Sequence, residues 1–269
     1  MKVAAVQMVS GSRLEDNLAA AARLLAQAAA QGCELAVLPE NFCFMGARDT
    51  DKLAVRERPG EGPVQAFLAG AARQHGLWLV GGTLPLAADD EQHVRNTCLV
   101  YSPEGEQVAR YDKIHLFRFE HGREQYDEGR VVAAGREPVA FELPARDGRR
   151  WRIGLSVCYD LRFPELYRRM AADVLLVPSA FTHVTGQAHW EPLLRARAIE
   201  NLAWVVAPAQ GGTHEGGRRT WGHSLVVDPW GVVVDCRTAE GEGVVVAELD
   251  AQRQQRVRAQ LPALEHRVL

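Results

Sequence analysis

Cys158 is the first residue whose type and position could do chemistry. It follows an apolar run over residues 153–157 and is followed at once by polar residues and then by Pro164. The run predicts a buried strand, and the proline is typical of a helix start. A thiol in the turn between them could act as a nucleophile. Free cysteine is often a core residue, so this stretch alone leaves a structural role equally open.

Two charged residues at other predicted strand ends could serve such a nucleophile. Glu40 ends an apolar run that begins at residue 35, and strand ends of this kind open onto ligand crevices in α/β proteins. A carboxylate there could be a general base, with a helix cap or surface position as the alternative. Lys113 precedes a long loop, where an ammonium would lower the pKa of a nearby thiol and stabilise an oxyanion, unless it is a solvated loop lysine. The backbone N–H of Tyr159 would be a second oxyanion donor.

The elements that would position these side chains first alternate between strands and helices. Apolar runs predict strands at residues 3–8, 35–40 and 77–82. Helical periodicity and terminal glycine and proline residues predict helices over 14–31 and 62–76. Two helices between three strands indicate βαβ units and a parallel core.

The rest of the chain predicts mainly strands. Hairpins are expected to pair residues 96–101 with 107–111, 139–143 with 152–157, and 224–227 with 232–234; further strands are expected at 174–177, 203–207 and 243–248, and helices at 189–200 and 252–260. The charged, aperiodic residues 114–137 predict a long loop that covers a site. Strands outnumber helices and many are apolar throughout, which favours an α/β protein built as a four-layer α-β-β-α sandwich, with one domain over residues 1–269.

Composition excludes several functional classes. A formal net charge of −3 gives no electrostatic footprint for nucleic acid, and no apolar run is long enough to predict a membrane span. The five cysteines are odd in number and include no C-x-x-C pair, which argues against a disulfide framework or zinc site and favours a reducing compartment. The N-terminus lacks the features of a signal peptide, so we expect a cytoplasmic protein.

Three ordered motifs resemble the nitrilase (carbon–nitrogen hydrolase) superfamily over essentially the whole chain. They are LPE at residues 38–40, YDKIHL at 111–116 and CYDLRFPE at 158–165. Further segments resemble the Nit branch, and within it the proteins that hydrolyse deaminated glutathione: residues 178–181, 185–191, 194–200 and 209–231. The resemblance implies a four-layer sandwich and an amidase that needs no metal or organic cofactor.

The resemblance also implies catalytic roles. Glu40 would be the general base and acid, Lys113 the oxyanion stabiliser and Cys158 the nucleophile that forms a thioester. An auxiliary glutamate is expected in the long loop, and Glu128 is our choice because residues 126–129 align with the family there. The loop departs from the usual family pattern over residues 118–125, so Glu120 and Glu124 are rivals.

The substrate implied by the resemblance is an amide of a 2-oxo acid. Deaminated glutathione carries a carboxylate at each end, so cations are needed to bind it. The candidates for these cations are Arg162, Arg195, Arg197, His183 and Arg123. Buried ion pairs with Glu165, Glu200 or Asp160 are the alternative for Arg162 and Arg197, and the one we favour. We expect Tyr159, Phe181 and Thr185 to line the substrate pocket beside Arg162.

Other functions remain open at this stage. An ω-amidase acting on 2-oxoglutaramate is the nearest alternative, because the two substrates share the oxo-acid half. Another aliphatic or carbamoyl amidase is a third possibility, and a non-catalytic scaffold is disfavoured by the intact Glu40, Lys113 and Cys158. The family resemblance also implies a homodimer or a larger assembly of this chain.

Overall fold

Two β-sheets pack face to face in the computed structural model, which describes residues 1–121 and 124–268. In chain order its strands are β1 (Lys2–Gln7), β2 (Leu35–Val37), β3 (Trp78–Val80), β4 (Leu84–Ala87), β5 (Val94–Tyr101), β6 (Gln107–Asp112), β7 (Arg118–His121), β8 (Glu124–Asp127), β9 (Val139–Pro144), β10 (Arg150–Leu155), β11 (Val174–Leu176), β12 (Trp204–Ala207), β13 (Gly211–Thr213), β14 (Arg219–Trp221), β15 (Leu225–Val227), β16 (Val233–Cys236) and β17 (Gly243–Glu248). The helices are α1 (Leu14–Ala30), α2 (Pro63–His75), α3 (Pro164–Met170), α4 (His183–Asn201) and α5 (Ala251–Gln260).

Each large sheet has a parallel centre and antiparallel flanks. Within the described residues, the first sheet has the order β17-β1-β2-β3-β5-β4, with β6 also paired to β5, and its strands β1, β2 and β3 are parallel. The second sheet has the order β16-β15-β12-β11-β10-β9, with β10, β11 and β12 parallel. The parallel strands place several chain segments at one edge of each sheet, where polar residues can meet.

Side-chain alternation along β1 shows the layers. Val3 and Ala5 belong to the core between the sheets, together with residues of β10, β11 and β12. Ala4 and Val6 belong to a second core that contains apolar residues of α1 and α2. Residues of α3 and α4 pack on the outer face of the second sheet. Since neighbouring residues of a strand point to opposite faces, this pattern confirms the predicted α-β-β-α sandwich.

Most predicted elements are present, and the differences have physical causes. Helix α4 begins at His183, six residues before the predicted start, and Thr182 caps it by accepting a hydrogen bond from the Thr185 N–H at 3.4 Å. Two features hid the true start of the helix. Pro192 lies inside it, although a proline usually marks a first turn, and the residues of its early turns are polar. The predicted long loop contains the hairpin β7–β8. Strands β4, β13 and β14 were not predicted. None of the helices described is long and apolar enough to cross a membrane.

Candidate active site

A buried lysine lies between two carboxylates where the long loop begins. Lys113 follows β6, is 2% exposed, and donates hydrogen bonds from Nζ to Glu40 Oε1 at 2.9 Å and Glu128 Oε2 at 2.7 Å. Asn96 of β5 donates to the same two carboxylates, at 2.9 Å to Glu40 and 3.0 Å to Glu128. Burial would lower the pKa of Lys113, but the charges of Glu128 and Glu40 raise it well above its usual range. The lysine is therefore a fixed cation.

Glu128 is the loop glutamate that the structure brings to this cluster. Its Oε2 also accepts a hydrogen bond from the Phe117 N–H at 2.9 Å. Burial alone would raise the pKa of Glu128, but Lys113 outweighs burial and lowers that pKa to about 2. The rival Glu120 is exposed and accepts a hydrogen bond from Gln125, and the side chain of Glu124 lies outside the described residues.

Glu40 connects the two sheets. It lies three residues beyond β2 of the first sheet and is 3% exposed. Its Oε2 accepts a hydrogen bond at 2.9 Å from the backbone N–H of Ala180, which follows β11 of the second sheet. Both oxygens of this carboxylate therefore have defined partners, which orients the side chain.

Cys158 lies in the turn after β10, as predicted. It begins a 3-10 helix, Cys158–Arg162, and its φ of 50° is in the left-handed region that a residue with a side chain rarely adopts. Its N–H donates to the Pro178 carbonyl at 3.0 Å, which helps hold this conformation. Strained backbone of this kind is concentrated at functional sites, because the surrounding fold must maintain it.

The ionisation of Cys158 differs from the sequence-based expectation. Burial and the charge of Glu40 raise the pKa of the thiol well above its usual range, although Lys113 acts in the opposite direction. Lys113 lowers the pKa of the thiol, as predicted, but burial and the negative charge of Glu40 outweigh its effect. The resting site holds a neutral thiol beside a carboxylate.

Asp160 stabilises the turn that contains Cys158. It is fully buried and accepts hydrogen bonds from the Val157 N–H at 2.8 Å, the His115 N–H at 3.0 Å and the Tyr111 hydroxyl at 2.7 Å. The His115 ring lies 2.7 Å from the same carboxylate and stacks on Phe163. Asp160 therefore ties the nucleophile turn to the segment that carries Lys113.

These groups line a common cleft. The catalytic candidates Glu40, Lys113, Glu128 and Cys158 and the substrate candidates Tyr159, Arg162, Phe181 and Thr185 all contribute to its wall. The remaining lining residues are Asn41, Asp49, Lys52, Phe117, Tyr126, Ala180, Thr182 and Arg218. The structure thus brings together all eight predicted site residues from five separate parts of the chain.

The other predicted cations lie elsewhere. Arg197 is buried and pairs with Glu200 at 2.8 Å, as the ion-pair alternative proposed. Arg195 donates to the Gly231 carbonyl at 2.8 Å, and the His183 ring packs against Trp221. Neither contributes to the cleft wall. Arg123 lies outside the described residues.

For Arg162 the favoured ion pair is wrong. Within the described parts of the chain no carboxylate lies within ion-pair distance of its guanidinium, which lies over the rings of Tyr159 at 5.8 Å and Phe181 at 5.7 Å. Its Nη2 is 3.3 Å from His189 Nδ1. The arginine faces the cleft instead of a buried acid.

Sequence reasoning missed Asn96, Lys52 and Arg218 as site residues. Asn96 had a usable signal, since an amide within the apolar run of β5 is unusual and needs buried partners. Lys52 and Arg218 lie in polar segments where no periodicity separates a cleft residue from a surface residue. Only the fold brings them to the same cavity.

The sandwich and the Glu40–Lys113–Cys158 cluster together define a nitrilase-like hydrolase. The comparison with family models agrees: residues 2–259 match the carbon-nitrogen hydrolase family, and the chain belongs to that family. It is a carbon–nitrogen hydrolase.

Three similar proteins illustrate the relationship. A Synechocystis protein named deaminated glutathione amidase is 41% identical, with 98% of this chain and 97% of that protein covered. The crystal structure of C. elegans NitFhit superposes with a TM-score of 0.87 at 39% identity, covering 99% of this chain and 64% of that one. A Nesterenkonia amidase structure, with acrylamide added at the active-site cysteine, has a TM-score of 0.76 at 28% identity and covers 97% of this chain and 98% of that one.

Proposed function

We propose that this protein is an amidase that hydrolyses deaminated glutathione to 2-oxoglutarate and Cys-Gly. The observation that carries the proposal is the buried cluster of Glu40, Lys113 and Cys158 in a cleft that also contains Arg162 and other cations. Relatives at 37–41% identity that are named deaminated glutathione amidase support the choice of substrate.

The first half-reaction forms a thioester. Glu40 takes the proton of the Cys158 thiol as the sulfur attacks the amide carbonyl carbon, so a thiolate never has to persist in the resting enzyme. Lys113 and the N–H of Tyr159 stabilise the negative oxygen that develops. Glu40 then gives its proton to the nitrogen of the leaving Cys-Gly, and the carbon–nitrogen bond breaks.

The second half-reaction releases the acid. Glu40 removes a proton from water, whose oxygen attacks the thioester carbon. Collapse of this intermediate breaks the carbon–sulfur bond, and Glu40 returns the proton to Cys158. Glu128 holds Lys113 in place at 2.7 Å during both steps, which makes it a positioning residue.

The charges of the cleft suit an anionic substrate. Lys52, Arg162 and Arg218 line it, and in the described part of the chain none has a carboxylate within ion-pair distance. Arginine binds carboxylates through two parallel hydrogen bonds, which fixes orientation as well as charge. We assign Arg162 to the carboxylate of the 2-oxo acid half, with Phe181 and Thr185 beside it.

Turnover of two substrates by the purified protein tests the proposal. We expect a higher kcat/KM for deaminated glutathione than for 2-oxoglutaramate; equal or better turnover of 2-oxoglutaramate would make the protein an ω-amidase. Cys158→Ala should abolish hydrolysis with an unchanged circular dichroism spectrum, whereas the control Cys236→Ala should keep wild-type rates. Residual turnover by the Cys158 variant contradicts the thioester route.

We further propose that the whole chain, residues 1–269, acts as one carbon–nitrogen hydrolase domain in a cytoplasmic homodimer. Free thiols at all five cysteines fit a reducing compartment. Exposed apolar side chains of Ile199, Trp230, Val232 and Val234 fit burial against a second copy. Light scattering of the purified protein tests the dimer, and a monomeric mass at micromolar concentration contradicts it.

A further inference from the structure

Arg218 has a buried, unused hydrogen-bond donor in the cleft wall. Its Nε has no acceptor among the described residues, and its Nη2 reaches only the Ala180 carbonyl, at 3.4 Å. A guanidinium carries five N–H donors, and leaving a buried one without an acceptor is unfavourable. Arg218 lines the cleft, so a carboxylate bound there can accept hydrogen bonds from the other N–H groups of this guanidinium.

Arg162 and Arg218 lie at opposite ends of an aromatic row. The rings of Tyr126, Phe117 and Tyr159 follow one another with centroid separations of 5.7 Å and 5.2 Å. The Arg218 guanidinium lies 5.0 Å from the centroid of Tyr126, and Arg162 lies 5.8 Å from that of Tyr159. Two cations therefore stand beside different rings of this aromatic row, which suits a ligand with two negative charges.

The position of Arg218 relates it to the leaving group. Arg218 donates to the carbonyl of Ala180, the residue whose N–H holds Glu40, and Glu40 is the group that protonates the leaving amine. Arg162, in contrast, shares a 3-10 helix with Cys158, which keeps the acyl half as a thioester. Arg218 is thus linked to the residue that protonates the leaving amine, and Arg162 to the turn that retains the acyl group.

We propose that Arg218, assisted by Lys52, is the subsite for a carboxylate on the leaving half of the amide, and so selects substrates with an anionic peptide leaving group. Lys52 enters the same wall from the 3-10 helix Asp49–Leu53. Asp49 is the carboxylate that accompanies them, and the two cations outnumber it. This inference rests on the proposed amidase function and adds a specificity determinant to it.

Arg218→Gln tests the subsite through a ratio of rates. The measured quantity is kcat/KM for deaminated glutathione divided by kcat/KM for 2-oxoglutaramate, whose leaving group is ammonia and has no carboxylate. We expect this ratio to fall by about 10- to 100-fold, the value of a charge-assisted hydrogen bond. Arg218→Lys should recover part of it. The control Arg219→Gln, an exposed neighbour paired with Glu240, should keep the wild-type ratio.

A substrate variant makes the test independent of folding. Deaminated glutathione with a C-terminal glycinamide lacks the carboxylate on the leaving half. The kcat/KM of the wild type should therefore be lower for the glycinamide than for deaminated glutathione by the same factor, about 10- to 100-fold. The kcat/KM of Arg218→Gln should differ little between the two substrates. An unchanged ratio in Arg218→Gln, or an equal further loss on the glycinamide, overturns the subsite while the amidase function stands. Absence of wild-type turnover of deaminated glutathione overturns the proposed function and the subsite with it.

Discussion

The hydroxyl of Tyr111 donates a 2.7 Å hydrogen bond to the buried carboxylate of Asp160. Tyr111 is in β6 of the first sheet, two residues before Lys113, and Asp160 follows Cys158 by two residues beyond the second sheet. One hydrogen bond therefore couples the strand that presents the cation to the turn that presents the thiol. Together with the hydrogen bond from the His115 N–H to Asp160, it helps set the relative position of these two groups.

Substitutions of Asp160 and of Tyr111 should have effects of different size. Asp160→Asn removes a charge that accepts hydrogen bonds from several donors, so we expect a loss of about 2–4 kcal/mol in the free energy of unfolding and a reduced kcat. Tyr111→Phe removes one donor and should cost about 1 kcal/mol. Urea denaturation and kcat measured on both variants provide the check. Wild-type stability and kcat in Asp160→Asn would show that the carboxylate is dispensable.

Glu40→Gln should make Cys158 more acidic while it slows catalysis. Burial raises the pKa of this thiol and the negative charge of Glu40 raises it further, so removing that charge lowers the pKa. The variant also lacks the general base, which costs roughly 10²- to 10⁴-fold in turnover. Iodoacetamide alkylation of Cys158, followed by mass spectrometry from pH 6 to 10, should begin at lower pH than in wild type.

Cys236 provides an internal reference in the same samples. Burial, with Glu191 and Asp235 nearby, raises the pKa of its thiol to about 11, and the profile should be equal in both proteins. If the two Cys158 profiles also coincide, Glu40 does not control this thiol.

Glu128 predicts an acid-dependent difference in stability. Despite its burial, the carboxylate has its pKa lowered from 4.5 to about 2, chiefly by Lys113, so it stabilises the fold above pH 4.5 and loses this contribution as the pH falls towards 2. Between pH 4.5 and pH 3, wild type should lose roughly 2 kcal/mol more than Glu128→Gln. Urea denaturation of both proteins at both pH values measures the difference. Carboxylates other than Glu128 contribute equally to the two proteins, so their effects cancel. Parallel pH profiles would contradict the ion pair.

Gly82 predicts an effect on Glu40 through the backbone. Its φ is 51°, and a Cβ there would lie 2.0 Å from the Pro39 carbonyl oxygen, so Gly82→Ala must displace the segment that leads to Glu40. Gly76 has a similar φ of 60° with open space around it, and Gly76→Ala should cost only about 1–2 kcal/mol of conformational strain. We expect kcat to fall in Gly82→Ala and to persist in Gly76→Ala. Equal kcat values would show that Pro39 can yield without moving Glu40.

The sequence was informative where local patterns carry the structure. Strand β17 and helix α2 match their predicted bounds closely, because apolar runs and terminal glycine or proline residues mark them. Glu40 and Cys158 each stand at the end of such a run, Lys113 follows a predicted strand, and all three occur in family motifs. Their selection needed no knowledge of distances.

The features that local patterns missed depend on contacts between distant segments. The hairpin β7–β8 and strands β13 and β14 are short and polar, so they lack the apolar alternation that marks a strand. The raised pKa of Cys158 and the donor of Arg218 without a partner arise from burial and packing. Neither property can be predicted from a short segment of the sequence.

The division of the site between the two sheets has a consequence for how the protein becomes active. Glu40 and Lys113 belong to the first sheet, and Cys158 and Ala180 to the second, so neither half contains a working site. We expect local hairpins to form before the contacts between the sheets during refolding, because contacts between residues distant in the chain form slowly. Enzymatic activity should therefore return only at the last stage of folding, and the time at which it returns measures when the two sheets dock.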